Sequence, residues 1–464
     1  MAGIVALPTE LLFHIFRYLH PSVEIHPDLK RPAHAWDCCA SYRTLSALTR
    51  TCRQVHPVAI QVLYERYEAT FTESIAGYFR RLSLHPSTAT MMRHINIWEE
   101  GLFTKYKGLP PDELNEQLKH TQLLDDEEMD RTITREPAQA VLAILVARAC
   151  NLEIFEMKAR HRASKLRAGE LPFWLLSVVE AAQQIQKGAP DINRYHQLHT
   201  MHINVQASFS PDFAHLFSLP SLRKLRLDDL GDFKDFRDIT VQWPIQVATS
   251  NVHTLELVDS SVSGRVVASM ITTCRELSHF KCLRAKRLQA DGIEWCRKIV
   301  SALGQHASSL RTLSLDPGDT SWIKDVSIHY SRVQGLHQFH AMQSLTIPFM
   351  VLMGRPGGTY ESDQWVSLAP EWKGYPQIGD TLPPKLQKLV LGLSRDMMSP
   401  KNMHGYEGIL LSVFPQRIEQ GIHPKQLNVE YHALNRHEMP LLDFDAVKKS
   451  YESHGVGCNL EICD

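Results

Sequence analysis

Metal ligation, nucleophilic catalysis and recognition of anions are the chemistries that the residue types of this chain could support. His196, His199 and His202 are the histidines whose spacing comes nearest to a metal site. They fall in a segment that reads as a strand, where side chains alternate between faces. His199 then points away from the other two, so no metal triad forms. The nine cysteines are scattered, with close pairs only at Cys38-Cys39 and Cys458/Cys463. A zinc site needs a second pair or histidines at matching spacing. The sequence therefore predicts reduced thiols in a reducing compartment, with no metal and no cofactor.

No Gly-x-Ser-x-Gly elbow, P-loop or His-Glu-x-x-His motif occurs. The run Gly354-Arg355-Pro356-Gly357-Gly358 is rich in glycine but has no lysine and no strand-to-helix context. No catalytic residue is expected.

Recognition chemistry is better represented. Lys158, Arg160, His161, Arg162, Lys165 and Arg167 form a basic run. Arg160 and Arg162 could receive an acidic or phosphorylated peptide, since guanidinium pairs well with phosphate. A solvated loop is the alternative. Residues 351–384 read as a long loop carrying Arg355, Trp365 and Trp372. Long loops in compact folds are functional or disordered, and these three residues are the natural contact points. The alternative is that the tryptophans only pin the loop down. Residues 99–136 hold eleven acids and five bases, including Asp125-Asp126-Glu127-Glu128. That segment predicts a solvated loop without a core.

The elements that would position such residues follow from composition and pattern. The chain has 464 residues, of which 44% are hydrophobic and 22% charged, enough for a large core. Its net charge of −1 gives no general attraction to nucleic acid or anionic membrane. No apolar run approaches the about 18 residues of a membrane span. The N-terminus lacks the features of a secretory signal. An intracellular protein, cytoplasmic or nuclear, is expected.

At the N-terminus, Leu11, Leu12, Ile15, Phe16 and Leu19 recur at helical spacing and make one wide apolar face. Pro8 suits the first turn, and Glu10 favours the positive end of the helix dipole. Leu45, Leu48, Cys52 and Val55 repeat the period, and a third helical series runs from Val58 to Tyr64. Leu7-Pro8, Ile15-Phe16, Tyr18-Leu19, Cys52-Arg53 and Leu63-Tyr64 occur in the order found in F-box modules. Residues 4 to about 66 resemble that family, in its fungal form. The resemblance departs at residues 20–43, which intervene where a short turn is usual. An insertion of that length adds little loop-closure entropy on a surface.

A second pattern, apolar-x-x-apolar-x-apolar, fills the body of the chain. It runs through Met92/Ile95/Ile97, Leu152/Phe155/Met157, Leu198/Met201/Ile203, Leu222/Leu225/Leu227 and Val252/Leu255/Leu257. It continues at Leu277/Phe280/Cys282, Leu310/Leu313/Leu315, Met342/Leu345/Ile347 and Leu386/Leu389/Leu391, with weaker copies at Leu427/Val429 and Leu460/Ile462. Each copy reads as a short strand with one buried face. Helical stretches lie between several of them. Most spacings overlap those of leucine-rich repeats, and the body resembles an irregular form of that family. A compact α/β domain is the alternative.

The expected fold is α/β: a helical F-box domain over residues 1–70 with an insertion at 20–43, then a leucine-rich-repeat-like solenoid over 71–464. Parallel strands would lie inside and helices outside, with insertions at 99–136 and 351–384. The resemblance implies the substrate-recognition subunit of an SCF-type ubiquitin ligase. A Skp-type adaptor, and through it a cullin–RING complex, would bind through Leu7, Pro8, Leu11, Ile15, Phe16, Leu19, Leu48 and Cys52, some of them holding the helices together and others facing the adaptor. A protein substrate would bind the repeats, with no nucleic acid or membrane as partner and no catalysis by the chain itself. An interaction scaffold with no ligase role, or an α/β enzyme with a hidden site, are the other readings.

Overall fold

The computed structural model describes residues 7–19, 43–69, 82, 85–97, 110–119, 133–134, 137–158, 171–188, 194–205, 210–231, 243–284, 292–316, 333–353, 359–361, 364–366, 382–394, 425–432 and 444–463. Helices and parallel strands alternate along the chain, so the class is α/β. The chain divides into two compact units, Met1–Gln206 with Ser218–Leu222, and Ala207–Phe217 with Arg223–Asp464.

The first unit begins with helix α1 (Thr9–Tyr18), a helical segment over 43–48, and α2 (Val55–Glu65). Strand β1 (Arg66–Ala69) follows α2 directly. Next come β2 (His94–Ile97), α3 (Pro111–Lys119), α4 (Pro137–Arg148), β3 (Ile154–Met157), α5 (Leu176–Gln186) and β4 (Thr200–Asn204). The four strands pair in chain order, all parallel. Tyr67, Ile95, Phe155 and Met201 share one row of the register and are all buried. Phe155 meets Trp174, just ahead of α5, at 5.3 Å between ring centroids. The apolar face of the strands is thus closed by helical segments. Helix α4 is buried from Ala140 to Ala147, as a helix apolar all round must be.

Two expectations need correction in this unit. The acidic stretch 99–136 is not wholly a coreless loop. Within it α3 buries Leu114 and Leu118, one helical turn apart, and packs on α4, where Arg148 bonds the Gln117 amide. The charge count hid that pair. Strand β1 is also absent from the six-residue pattern, because Tyr67 is its one strongly apolar side chain.

The second unit holds β5 (Lys224–Asp228), β6 (Thr254–Ser260), β7 (His279–Arg284), β8 (Thr312–Asp316) and β9 (Ser344–Pro348). A two-stranded antiparallel hairpin, β10 (Thr359–Glu361) and β11 (Gln364–Val366), precedes β12 (Lys388–Ser394), β13 (Gln426–His432) and β14 (Gly457–Cys463). Apart from the hairpin, successive strands pair in parallel. Leu225, Leu255, Phe280, Leu313, Leu345, Leu389 and Leu427 form one buried row. The register corrects the last copy of the pattern. Cys458 and Leu460, not Leu460 and Ile462, stand beside Leu427 and Val429. The hairpin falls in the segment read as a plain loop.

Helices α6 (Gly264–Thr273) and α7 (Gly292–Leu303) pack on one another in this unit, and α8 (Phe444–Glu452) precedes β14. Ser263 caps α6 by accepting a hydrogen bond from the Val266 amide. A Cβ on Gly264 would lie 3.1 Å from Trp295 Cα, so glycine permits the close approach of the two helices.

Candidate docking surface

Helix α1 carries more apolar surface than its core can cover. Pro8, with φ −54° and ψ 148°, caps the helix, and its carbonyl accepts from the Leu12 amide at 3.1 Å. Leu12 and Phe16, one turn apart, enter a small core with Leu45, Val55, Val58, Ala59 and Val62. Leu7, Phe13, Leu19, Leu48, Cys52 and Leu63 pack around it, partly buried.

Leu11, Ile15 and Tyr18 follow at i, i+4 and i+7 and so share another side of the helix. They are 49%, 40% and 90% exposed. Among the described residues only Val247 joins them as an exposed large hydrophobic side chain. Scattered surface apolar residues are ordinary, whereas three in line on one helix are a patch. Pro8 is exposed at the head of this stripe.

The helix is fixed from its other end. The Arg17 guanidinium forks onto the Glu65 carboxylate at the end of α2, with Nε donating to Oε2 at 3.1 Å. The same guanidinium lies 4.5 Å from the centroid of the Phe13 ring. Cys52 stands at the start of α2, where its carbonyl accepts from the His56 amide. The Val55 and Gln54 amides hold the Cys52 thiol below its ordinary pKa.

The structure sorts the residues expected at an adaptor interface. Pro8, Leu11 and Ile15 are exposed, while Leu7, Leu19, Leu48 and Cys52 are partly covered. Phe16, 1% exposed, is one of those that hold the helices together, while Tyr18 is on the surface. The three- and four-residue steps from Leu11 to Ile15 to Tyr18 were the signal for it.

Of the residues expected to read a substrate, Arg160, Arg162, Arg355 and Trp372 lie outside the described residues. The backbone of Trp365 pairs with Tyr360 in the hairpin. The three histidines do not form a cluster. Of them only His202 lies in a strand, and the His199 ring bonds the Thr200 hydroxyl at 3.0 Å. Among the described residues no group of three His, Cys, Asp or Glu side chains could hold a metal ion. No described helix is long and apolar enough to cross a membrane. No protein-family model matches the chain, and no curated protein matches it.

Proposed function

We propose that this chain is the substrate-recognition subunit of an SCF-type ubiquitin ligase, docking on a Skp-type adaptor through α1. The observation that carries the reading is the outward stripe Leu11, Ile15 and Tyr18 on a helix whose opposite side is already packed. Burying such side chains on a partner contributes on the order of 1–2 kcal/mol each. The F-box-like residue pairs at Leu7-Pro8, Ile15-Phe16 and Cys52-Arg53 give the stripe its partner class. The alternation of strands and helices supports a leucine-rich-repeat-like body that holds a protein substrate. The adaptor would bring a cullin and a RING subunit. The chain itself then supplies proximity, and no acid, base or nucleophile.

Co-expression with a Skp-type adaptor tests this. Wild type should co-purify at one to one, and Leu11→Asp with Ile15→Asp should not. A double variant that still binds would rule out this docking face.

A further inference from the structure

Strand β14 is an edge of the parallel sheet. It pairs with β13 on one side, and no described strand lies on its other side. The Gly457 amide donates to the Lys425 carbonyl at 3.1 Å. Backbone groups of successive residues alternate between the two sides of a strand, so Gly457, Asn459, Glu461 and Cys463 turn theirs toward β13. The amides and carbonyls of Cys458, Leu460 and Ile462 turn outward, and among the described residues no strand receives them.

Natural edge strands are blunted by shortness, lysine, proline or a bulge. None of these devices is present in β14. It runs seven residues, Gly457–Cys463, with neither lysine nor proline. Its register with β13 is unbroken from Gly457 to Cys463.

We infer that β14 pairs with β14 of a second copy of this chain, antiparallel about a two-fold axis at Leu460. The strand is complementary to itself in three respects. Outward backbone groups can meet only outward groups, and this centre matches every one of them. Leu460 meets Leu460 of the second copy, and Cys458 meets Ile462 in both directions. Each such pair exchanges two backbone hydrogen bonds. Any other centre leaves some of these groups unmatched. The apolar positions also agree. Cys458 and Leu460 extend the rows of Leu427 and Val429, which are buried. Cys458, Leu460 and Ile462 meet only one another, so the apolar row runs on across the axis. The polar positions agree as well. Asn459 is exposed and stands opposite Glu461 of the second copy. An amide faces a carboxylate, and no acid faces an acid. A pairing that uses one patch on both copies closes as a dimer and leaves no further edge to extend.

This goes beyond the docking reading and is measured without an adaptor, so either can fail alone. Sedimentation equilibrium of the purified full chain, taken to about 100 μM, should show twice the mass of one chain. Amide exchange across residues 457–463 should slow as the dimer fills. Asn459→Glu sets acid against Glu461 of the second copy and should weaken the dimer about fivefold, while Asn459→Lys should tighten it by a similar factor. Leu460→Pro removes the outward amide at the axis, where an edge strand tolerates proline, and should leave a folded monomer. The exposed Asn459 variants decide even if that chain fails to fold. A monomer at every concentration would overturn the inference. So would Asn459 variants that leave the affinity unchanged or move it in the same direction. A dimer whose 457–463 amides exchange as fast as those of the monomer pairs elsewhere, and overturns it too.

Discussion

Arg17 and Glu65 are joined through a two-pronged ion pair that ties the last turn of α1 to the last turn of α2. The pair orients a helix whose outer stripe, Leu11, Ile15 and Tyr18, is exposed among the described residues. Arg17 is 48% exposed, so solvent weakens the pair. Arg17→Ala should lower stability by no more than about 1 kcal/mol. Backbone amide exchange in α1 should quicken more than in α2, which hydrogen exchange read by mass spectrometry can detect.

Neighbouring apolar residues on α1 should behave in opposite ways. Phe16→Ala opens a cavity in the core shared with Leu45 and Val62, and should destabilise by about 3–5 kcal/mol. Leu11→Ala and Tyr18→Ala remove exposed groups and should change stability by less than about 0.5 kcal/mol. Thermal melts of the three variants decide this, and equal losses at Leu11 and Phe16 would mean that the stripe is covered.

His306 sets a pH dependence in the second unit. Its Nδ1 accepts from the Leu277 amide at 3.3 Å, and its Nε2 donates to the Ile271 carbonyl at 3.1 Å. Burial holds its pKa below the ordinary histidine value, while the Ile271 bond and nearby Glu276 oppose that shift. The unfolded chain then takes up the proton first as pH falls. Stability is full above about pH 6.5 and declines as pH drops through that value toward the lower folded-state pKa. His94, shifted the same way by burial and by Arg66, adds to the slope. Melting temperatures at pH 7.5 and 5.5 should differ in wild type, and the difference should shrink in His306→Gln.

The cysteines should react in a fixed order. Cys52 has its thiol pKa lowered by two backbone amides, whereas burial raises that of Cys274. Iodoacetamide at neutral pH should label Cys52 before Cys274 in the folded chain, with peptide mapping as the readout.

The strand pattern was legible because each strand hides one face. Leu225 and Leu227 alternate with Lys224, Arg226 and Asp228, and the same phase returns at Leu255, Leu313 and Leu345. Where a strand offers few apolar side chains, as in Arg66–Ala69, or spans three residues, as in β10 and β11, no such signal exists. Leu114 and Leu118 were outweighed by the acids around them. The exposed stripe of α1 was legible as residues but not as a surface. Leu11, Leu12, Ile15 and Phe16 are all apolar, and only the placement of Leu45, Val58 and Val62 decides which two are covered.

The central claim is that the uncovered stripe of α1 is a docking face. Its most direct test is the affinity of the purified chain for a Skp-type adaptor, wild type beside Leu11→Asp with Ile15→Asp, by calorimetric titration. A one-to-one complex in wild type and none in the variant, with both chains melting alike, is the expected result. Equal affinity in the two, or no complex with a wild type that is folded and soluble, would contradict the account.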